Sequence, residues 1–134
     1  MTEPPPETLA LTSELDRLGE ARAWVAAHAA AAGFDDRSVL DLELVVTEAV
    51  SNVVRHAYGG EAGRPIELGF ASGESEVRIR LRDWGGPFLD GRRARDDGGY
   101  GLGLIDDLVD AVERTALDDG NVLELTKRRP GGRP

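Results

Sequence analysis

Two hydrophobic periods take turns along this chain. Leu15, Leu18, Ala21, Val25 and Ala29 recur at steps of three and four, one stripe of a helix turning about 100° per residue. Ser13, with Asp16 three residues on, is the expected N-cap, and Gly33 stops the segment at about residue 32. A second helix is expected from a cap at Asp35 or Asp36 to about residue 58, where Gly59 and Gly60 end it. Its apolar stripe is Val39, Leu42, Val46, Ala49, Val50, Val53 and Ala57.

The period then changes to two. Val77, Ile79 and Leu81 alternate with Glu76, Arg78, Arg80 and Arg82, which predicts a half-buried strand over 76–83. It pairs as a hairpin with a strand over 66–71. A short edge strand is expected over 8–12, a third helix over 102–110, and a final hairpin of 111–117 with 121–128 around Asp118-Asp119-Gly120. Residues 84–99 carry no clean period and are long for an internal loop, a length usually tied to function. Strands in hairpin pairs without regular βα alternation predict an α+β fold. The expected form is a two-layer α/β sandwich, its mixed, mostly antiparallel sheet covered on one face by three helices. Residues 8–128 are expected to form the domain, with 1–7 a disordered leader and 129–134 a flexible tail.

Composition narrows the function. The 134 residues carry a formal net charge of −9, a surface that repels a phosphate backbone and excludes nucleic acid as a direct partner. Cysteine is absent, which excludes disulfides, thiolate metal sites and a Cys nucleophile. No apolar run approaches the ~20 residues of a membrane span. The acidic, Pro-rich start is no signal peptide. A cytoplasmic, bacterial-type protein is the expectation.

The second helix also carries a polar stripe. Asp41, Glu48, Asn52 and Arg55 lie within about 40° of one another's mean direction, with His56 beside them, opposite the apolar stripe. Leu44 and Val45 share that side, so it is not freely solvated, and a mid-helix Asn needs a reason because it is a poor helix former. An Asn amide oxygen suits Mg²⁺, and a carboxylate one turn away can take a proton from a hydroxyl or water. Such a pair on its own also suits an ordinary solvated face.

Glycines mark two further places. Asp83-Trp84-Gly85-Gly86 ends a strand, where Asp can accept from an exocyclic amine and Gly85 allows close backbone approach. Gly99, Gly101 and Gly103 alternate into the third helix, leaving N–H groups open at a helix start, a phosphate-binding geometry. A Rossmann fingerprint is rejected because a charged loop, not a strand, precedes these glycines. A P-loop is rejected because no Gly-Lys-Ser/Thr occurs, the one lysine being Lys127.

In order, Glu48-Ala49-Val50-Ser51-Asn52 with His56-Ala57-Tyr58, then Asp83-x-Gly85, then Gly99-x-Gly101-x-Gly103, resemble the N-, G1- and G2-boxes of the GHKL superfamily. The first segment is most similar to the anti-sigma-factor serine/threonine kinases. The resemblance spans roughly residues 8–128 and implies the Bergerat, histidine-kinase-type ATPase fold. It implies Glu48 as general base, Asn52 as Mg²⁺ ligand and Asp83 at the adenine amine. Gly85 would make room for the base, with Gly99, Gly101 and Gly103 along the phosphates and 88–98 as a lid. Arg55, His56, Gly98, Tyr100, Leu102 and Leu104 complete the expected ATP contacts. The implied partners are a sigma factor and a STAS-domain anti-anti-sigma protein phosphorylated on Ser or Thr, and a homodimer is the implied assembly.

Some positions depart from the family. Asp96-Asp97 stands in the lid where some members place an arginine, with Arg92, Arg93 and Arg95 slightly earlier. Gly120-Asn121 stands where many have Gly-Thr, and Thr126 is a distant substitute. Trp84, beside the expected adenine pocket, reads as a hydrophobic wall. The alternative is a catalytically weak or inactive ATP-binding switch that gates a protein partner. A sensor-kinase catalytic domain ranks last, because no dimerisation helix with a phosphoacceptor His is present and His28 lacks an acidic neighbour.

Overall fold

The period-two segments pair into one sheet. A computed structural model describes residues 7–86 and 100–129, with side chains from 104 onward in the second stretch. Its strands are β1 (Glu7–Thr12), β2 (Pro65–Ser72), β3 (Glu76–Asp83), β4 (Ala111–Leu117) and β5 (Gly120–Arg128), in the order β1-β2-β3-β5-β4. Every pairing is antiparallel. The mixed sheet expected from the sequence is therefore fully antiparallel among the described residues. Hairpins join β2 to β3 and β4 to β5, and two helices between β1 and β2 bring the chain back in the opposite direction.

Ile66, Leu68 and Phe70 of β2, Val77, Ile79 and Leu81 of β3, and Leu125 of β5 point to one face and join the buried core. Arg78 and Arg80 point the other way and are exposed. Three helices supply the facing layer: α1 (Leu18–Ala31), α2 (Asp36–Asn52) and α3 (Tyr100–Leu108). Ala21, Val25 and Ala29 of α1 and Leu42, Val46, Ala49 and Val50 of α2 are buried, as their periodicity predicts. α2 packs against both α1 and α3. Its burial is accordingly wider than its apolar stripe and takes in Val45 and Asn52.

Several local expectations change. Ser13 is not a helix cap: its hydroxyl donates to the Glu61 carbonyl (2.6 Å) and accepts from the Arg64 N–H (2.9 Å). Leu15 leaves the buried stripe and is 55% exposed. The chain enters α1 through a 3₁₀ turn at Leu15–Arg17, whose ~120° steps rotate Leu15 off the α-helical row. The second helix stops being α-helical at Asn52 and continues as a π turn over Val53–Ala57, closed by the Tyr58 N–H on the Val53 carbonyl (2.9 Å). α3 begins at Tyr100 and ends at Leu108, two residues earlier at both ends than its pattern suggests. Asp35, not Asp36, caps α2 by accepting from the Ser38 N–H (2.8 Å). Arg129, expected in the tail, donates to the Ala32 and Gly73 carbonyls and to Ser72 Oγ. The lid, Gly98, Gly99 and the leader residues 1–6 lie outside the described residues, as does the tail from 130 onward.

Candidate functional site

Period two explains why β3 ends in a buried carboxylate. Asp83 continues the inward series Val77, Ile79, Leu81, so its side chain falls on the helix-covered face and is 1% exposed. A buried carboxylate needs donors. The Gly85 N–H supplies one to Oδ1 (2.9 Å) and the side-chain amide of Asn121 another (3.0 Å). Asn121 lies directly across from Asp83 in the β3–β5 register and is itself buried.

The end of the second helix closes this corner. The π turn leaves the Ala57 carbonyl outside the helical ladder, and the Gly86 N–H bonds it (2.9 Å). Gly85 lies so close that a Cβ would sit inside the van der Waals shell of the Ala57 carbonyl and 2.8 Å from Tyr58 Cδ1. The Tyr58 hydroxyl accepts from the Trp84 N–H (2.8 Å) and donates to the Pro65 carbonyl in a short bond. Burial pushes the Tyr58 phenol above its ordinary value, so it keeps its proton, and this bond, through the neutral range. Trp84, expected as a hydrophobic wall, is half-buried with the Arg82 guanidinium stacked on its ring at 4.3 Å.

One turn and more back along α2 stand Glu48 and Asn52. Asn52 is 7% exposed and the Glu48 side chain 27%. The Arg55 guanidinium bridges them, donating to Asn52 Oδ1 (3.2 Å) and Glu48 Oε2 (3.4 Å). The two oxygens converge on one cation because positions 48, 52 and 55 share a helix face. His56 follows, half-buried and engaged with a partner. Among the described residues no group of three or more His, Asp or Glu side chains is placed to hold a metal ion. The donor set at Asn52 is thus a single neutral amide oxygen beside a carboxylate, the sparse kind that Mg²⁺ completes with phosphate oxygens and water. That a cation already lies across both oxygens shows that the pair suits positive charge.

α3 packs on α2, and its Ile105 is fully buried. Gly101 and Gly103 lie within its first turn, with Leu104 half-buried behind them. Tyr100 and Leu102 belong to the same turn. The structure therefore brings Glu48, Asn52, Arg55 and His56 onto one helix that ends at the Asp83–Gly85 corner, with the start of α3 in the layer alongside. Gly98, Gly99, Arg92, Arg93 and Arg95 are outside the described residues.

The sequence reading missed the role of Asn121, which it noted only as a departure. A signal was present. A carboxylate at an inward strand position demands a donor, and Asn121 is the polar residue at the inward position of the strand that pairs with it.

The histidine kinase-like ATPase domain matches residues 11–127 of the chain. A Listeria monocytogenes protein named serine-protein kinase RsbW is 31% identical, covering 90% of this chain and 85% of its own. The RsbW of Halalkalibacterium halodurans is 33% identical, covering 91% and 83%. Among solved structures, the crystal structure of RsbU and RsbW domains of a Mycobacterium tuberculosis protein has a TM-score of 0.70 at 23% identity. That match covers 98% of this chain and 34% of the other, a likeness of fold.

Proposed function

Because this chain belongs to the histidine kinase-like ATPase domain family, we propose that it is an ATP- and Mg²⁺-dependent protein-serine/threonine kinase acting as an anti-sigma factor. In this reading it binds a sigma factor and phosphorylates a STAS-domain anti-anti-sigma partner on Ser or Thr. The ATPase description of the family supports ATP as the nucleotide, and relatives spanning most of this chain's length carry the name serine-protein kinase. The observation that carries the reading is Glu48 and Asn52 drawn to one guanidinium, on the helix whose end packs against the Asp83 corner.

The roles follow from the chemistry of each place. Asp83 accepts from the exocyclic amine of adenine, and Gly85, by lacking a Cβ, lets the strand end press on the Ala57 carbonyl and give its N–H to Asp83. Asn52 would hold Mg²⁺, which when bound neutralises charge on the phosphate oxygens. Gly98, Gly99, Gly101 and Gly103 lie along the chain into the N-terminus of α3, where open N–H groups favour phosphate; Tyr100, Leu102 and Leu104 would complete the contacts there. Arg55 and His56 stand on the phosphate side of α2. The partner's hydroxyl oxygen bonds to the γ-phosphorus as the bond from that phosphorus to the β–γ bridging oxygen breaks. ADP departs, and the hydroxyl proton passes to the Glu48 carboxylate. Most of the rate comes from holding these groups in line and balancing charge.

The proposal includes a cytoplasmic homodimer that does not touch nucleic acid, in keeping with the net charge of −9. No described helix is long and apolar enough to cross a membrane.

The test is phosphoryl transfer from labelled ATP to a candidate STAS-domain partner. Glu48→Gln is expected to keep ATP affinity within about twofold and lose at least 10²-fold in transfer, the usual range for a general base. A wild-type protein that binds ATP yet labels no cognate partner would replace the kinase by a nucleotide-gated switch.

A further inference from the structure

The Asp83 corner contains more than the carboxylate. Asn121 has two amide N–H donors, and both are used: one on Asp83 Oδ1 (3.0 Å), the other on the Gly86 carbonyl (2.9 Å). Its place is fixed by close contact. A Cβ on Gly120 would lie 2.7 Å from Trp84 Cα and 2.6 Å from Arg82 Nη1, so β5 begins pressed against the end of β3. The Gly85 N–H adds a second donor to Oδ1. Among the described residues nothing donates to Oδ2. A carboxylate whose one oxygen takes two fixed donors cannot rotate without losing both, so the direction of the other oxygen is set.

We propose that Asn121 is a positioning residue for base recognition. It does not itself read the base; it locks Asp83 so that Oδ2 faces a 6-amino group, making the site select 6-amino over 6-oxo purines. The inference rests on the nucleotide-binding reading above. It gives a physical reason for Asn here: a Thr hydroxyl offers one donor and serves either Asp83 or Gly86 but not both, and an Asp sets carboxylate against carboxylate. A 6-oxo purine presents an acceptor to an acceptor, and this mismatch is costly only while the carboxylate is held in place.

The experiment measures dissociation constants of ADP and IDP, which differ in base at the 6-position, for wild type, Asn121→Val and Asn121→Thr by calorimetry. Wild type is expected to favour ADP. Asn121→Val should reduce the IDP-to-ADP ratio by about tenfold, the size of one hydrogen bond to a charged group, and Asn121→Thr should restore part of it. Equal weakening of both nucleotides in Asn121→Val, with the ratio unchanged, overturns the inference, since a merely structural role moves both alike. If the Val variant does not give a cooperative thermal transition, Asn121→Thr alone decides: its ratio must fall below wild type. Wild type that binds neither nucleotide sinks the nucleotide reading itself, an outcome distinct from an unaltered ratio.

Discussion

Gly85 is the residue whose smallest change does most. Its neighbours on the Cβ side are the Ala57 carbonyl and the Tyr58 ring, both anchored: the first by the Gly86 N–H, the second by its hydroxyl bonds to Trp84 and Pro65. Neither is the movable end of a flexible side chain, so a methyl group must push backbone. Gly85→Ala is therefore expected to lower the unfolding free energy by about 1–3 kcal/mol, the range for overpacking a tight site. It should also weaken ADP binding, because Asp83 Oδ1 takes one of its donors from the Gly85 N–H. Urea unfolding and ADP calorimetry check the two effects. A variant of unchanged stability would mean that the helix end does not abut Gly85.

At the scale of the element, α2 explains which parts of the site were legible. Its apolar stripe and the Glu48–Asn52 stripe both follow from one angular step per residue, so the sequence predicts which side chains share a face. The strand alternation likewise predicts that Asp83 turns inward. The features not legible from local pattern are long-range ones. Ser13 pairs with a loop 48 residues away, and the π turn at Val53–Ala57 depends on what lies beyond the helix end. Asn121 becomes meaningful only once register puts it across from Asp83. Val45 and Asn52 are buried on a helix that packs against both α1 and α3, information no window around residue 50 contains.

The start of α2 makes its own prediction. The Ser38 backbone N–H, and then its hydroxyl, hold the Asp35 carboxyl below its ordinary value of 3.8. A lowered folded value means that this stabilisation is complete above the unfolded value and is lost as pH falls through the folded one, so the window lies below about pH 4. Asn caps as well as Asp and does not titrate. Asp35→Asn should leave the thermal midpoint close to wild type at pH 7 and make it fall less steeply between pH 4 and about pH 2. Parallel acid limbs would show that the cap adds nothing to the pH dependence.

For the whole molecule, the end of β5 acts as a tie among the helices. Lys127 donates to the last carbonyl of α3, at Leu108 (2.8 Å), and its Nζ lies 3.8 Å from Asp41 of α2. The Arg128 N–H bonds the Asp110 carboxylate (2.7 Å). Arg129 reaches the end of α1, donating to the Ala32 carbonyl in a short bond, with its guanidinium 5.8 Å from the centre of the Phe34 ring. It also donates to Ser72 Oγ (2.8 Å) and, through Nη2 and Nε, to the Gly73 carbonyl in the β2–β3 turn. Three consecutive residues thus fasten all three helices to the sheet at the end opposite the Asp83 corner, where β5 ends and β3 begins. A guanidinium fork can serve several carbonyls in different directions; an ammonium is a single point of charge. Arg129→Lys and Arg129→Ala are therefore expected to cost similar amounts, about 1–3 kcal/mol of unfolding free energy, with ADP affinity unaltered because the nucleotide corner is remote. Denaturant unfolding beside ADP calorimetry tests this. Recovery of full stability in Arg129→Lys would show that charge alone, and not the fork, closes this end of the fold.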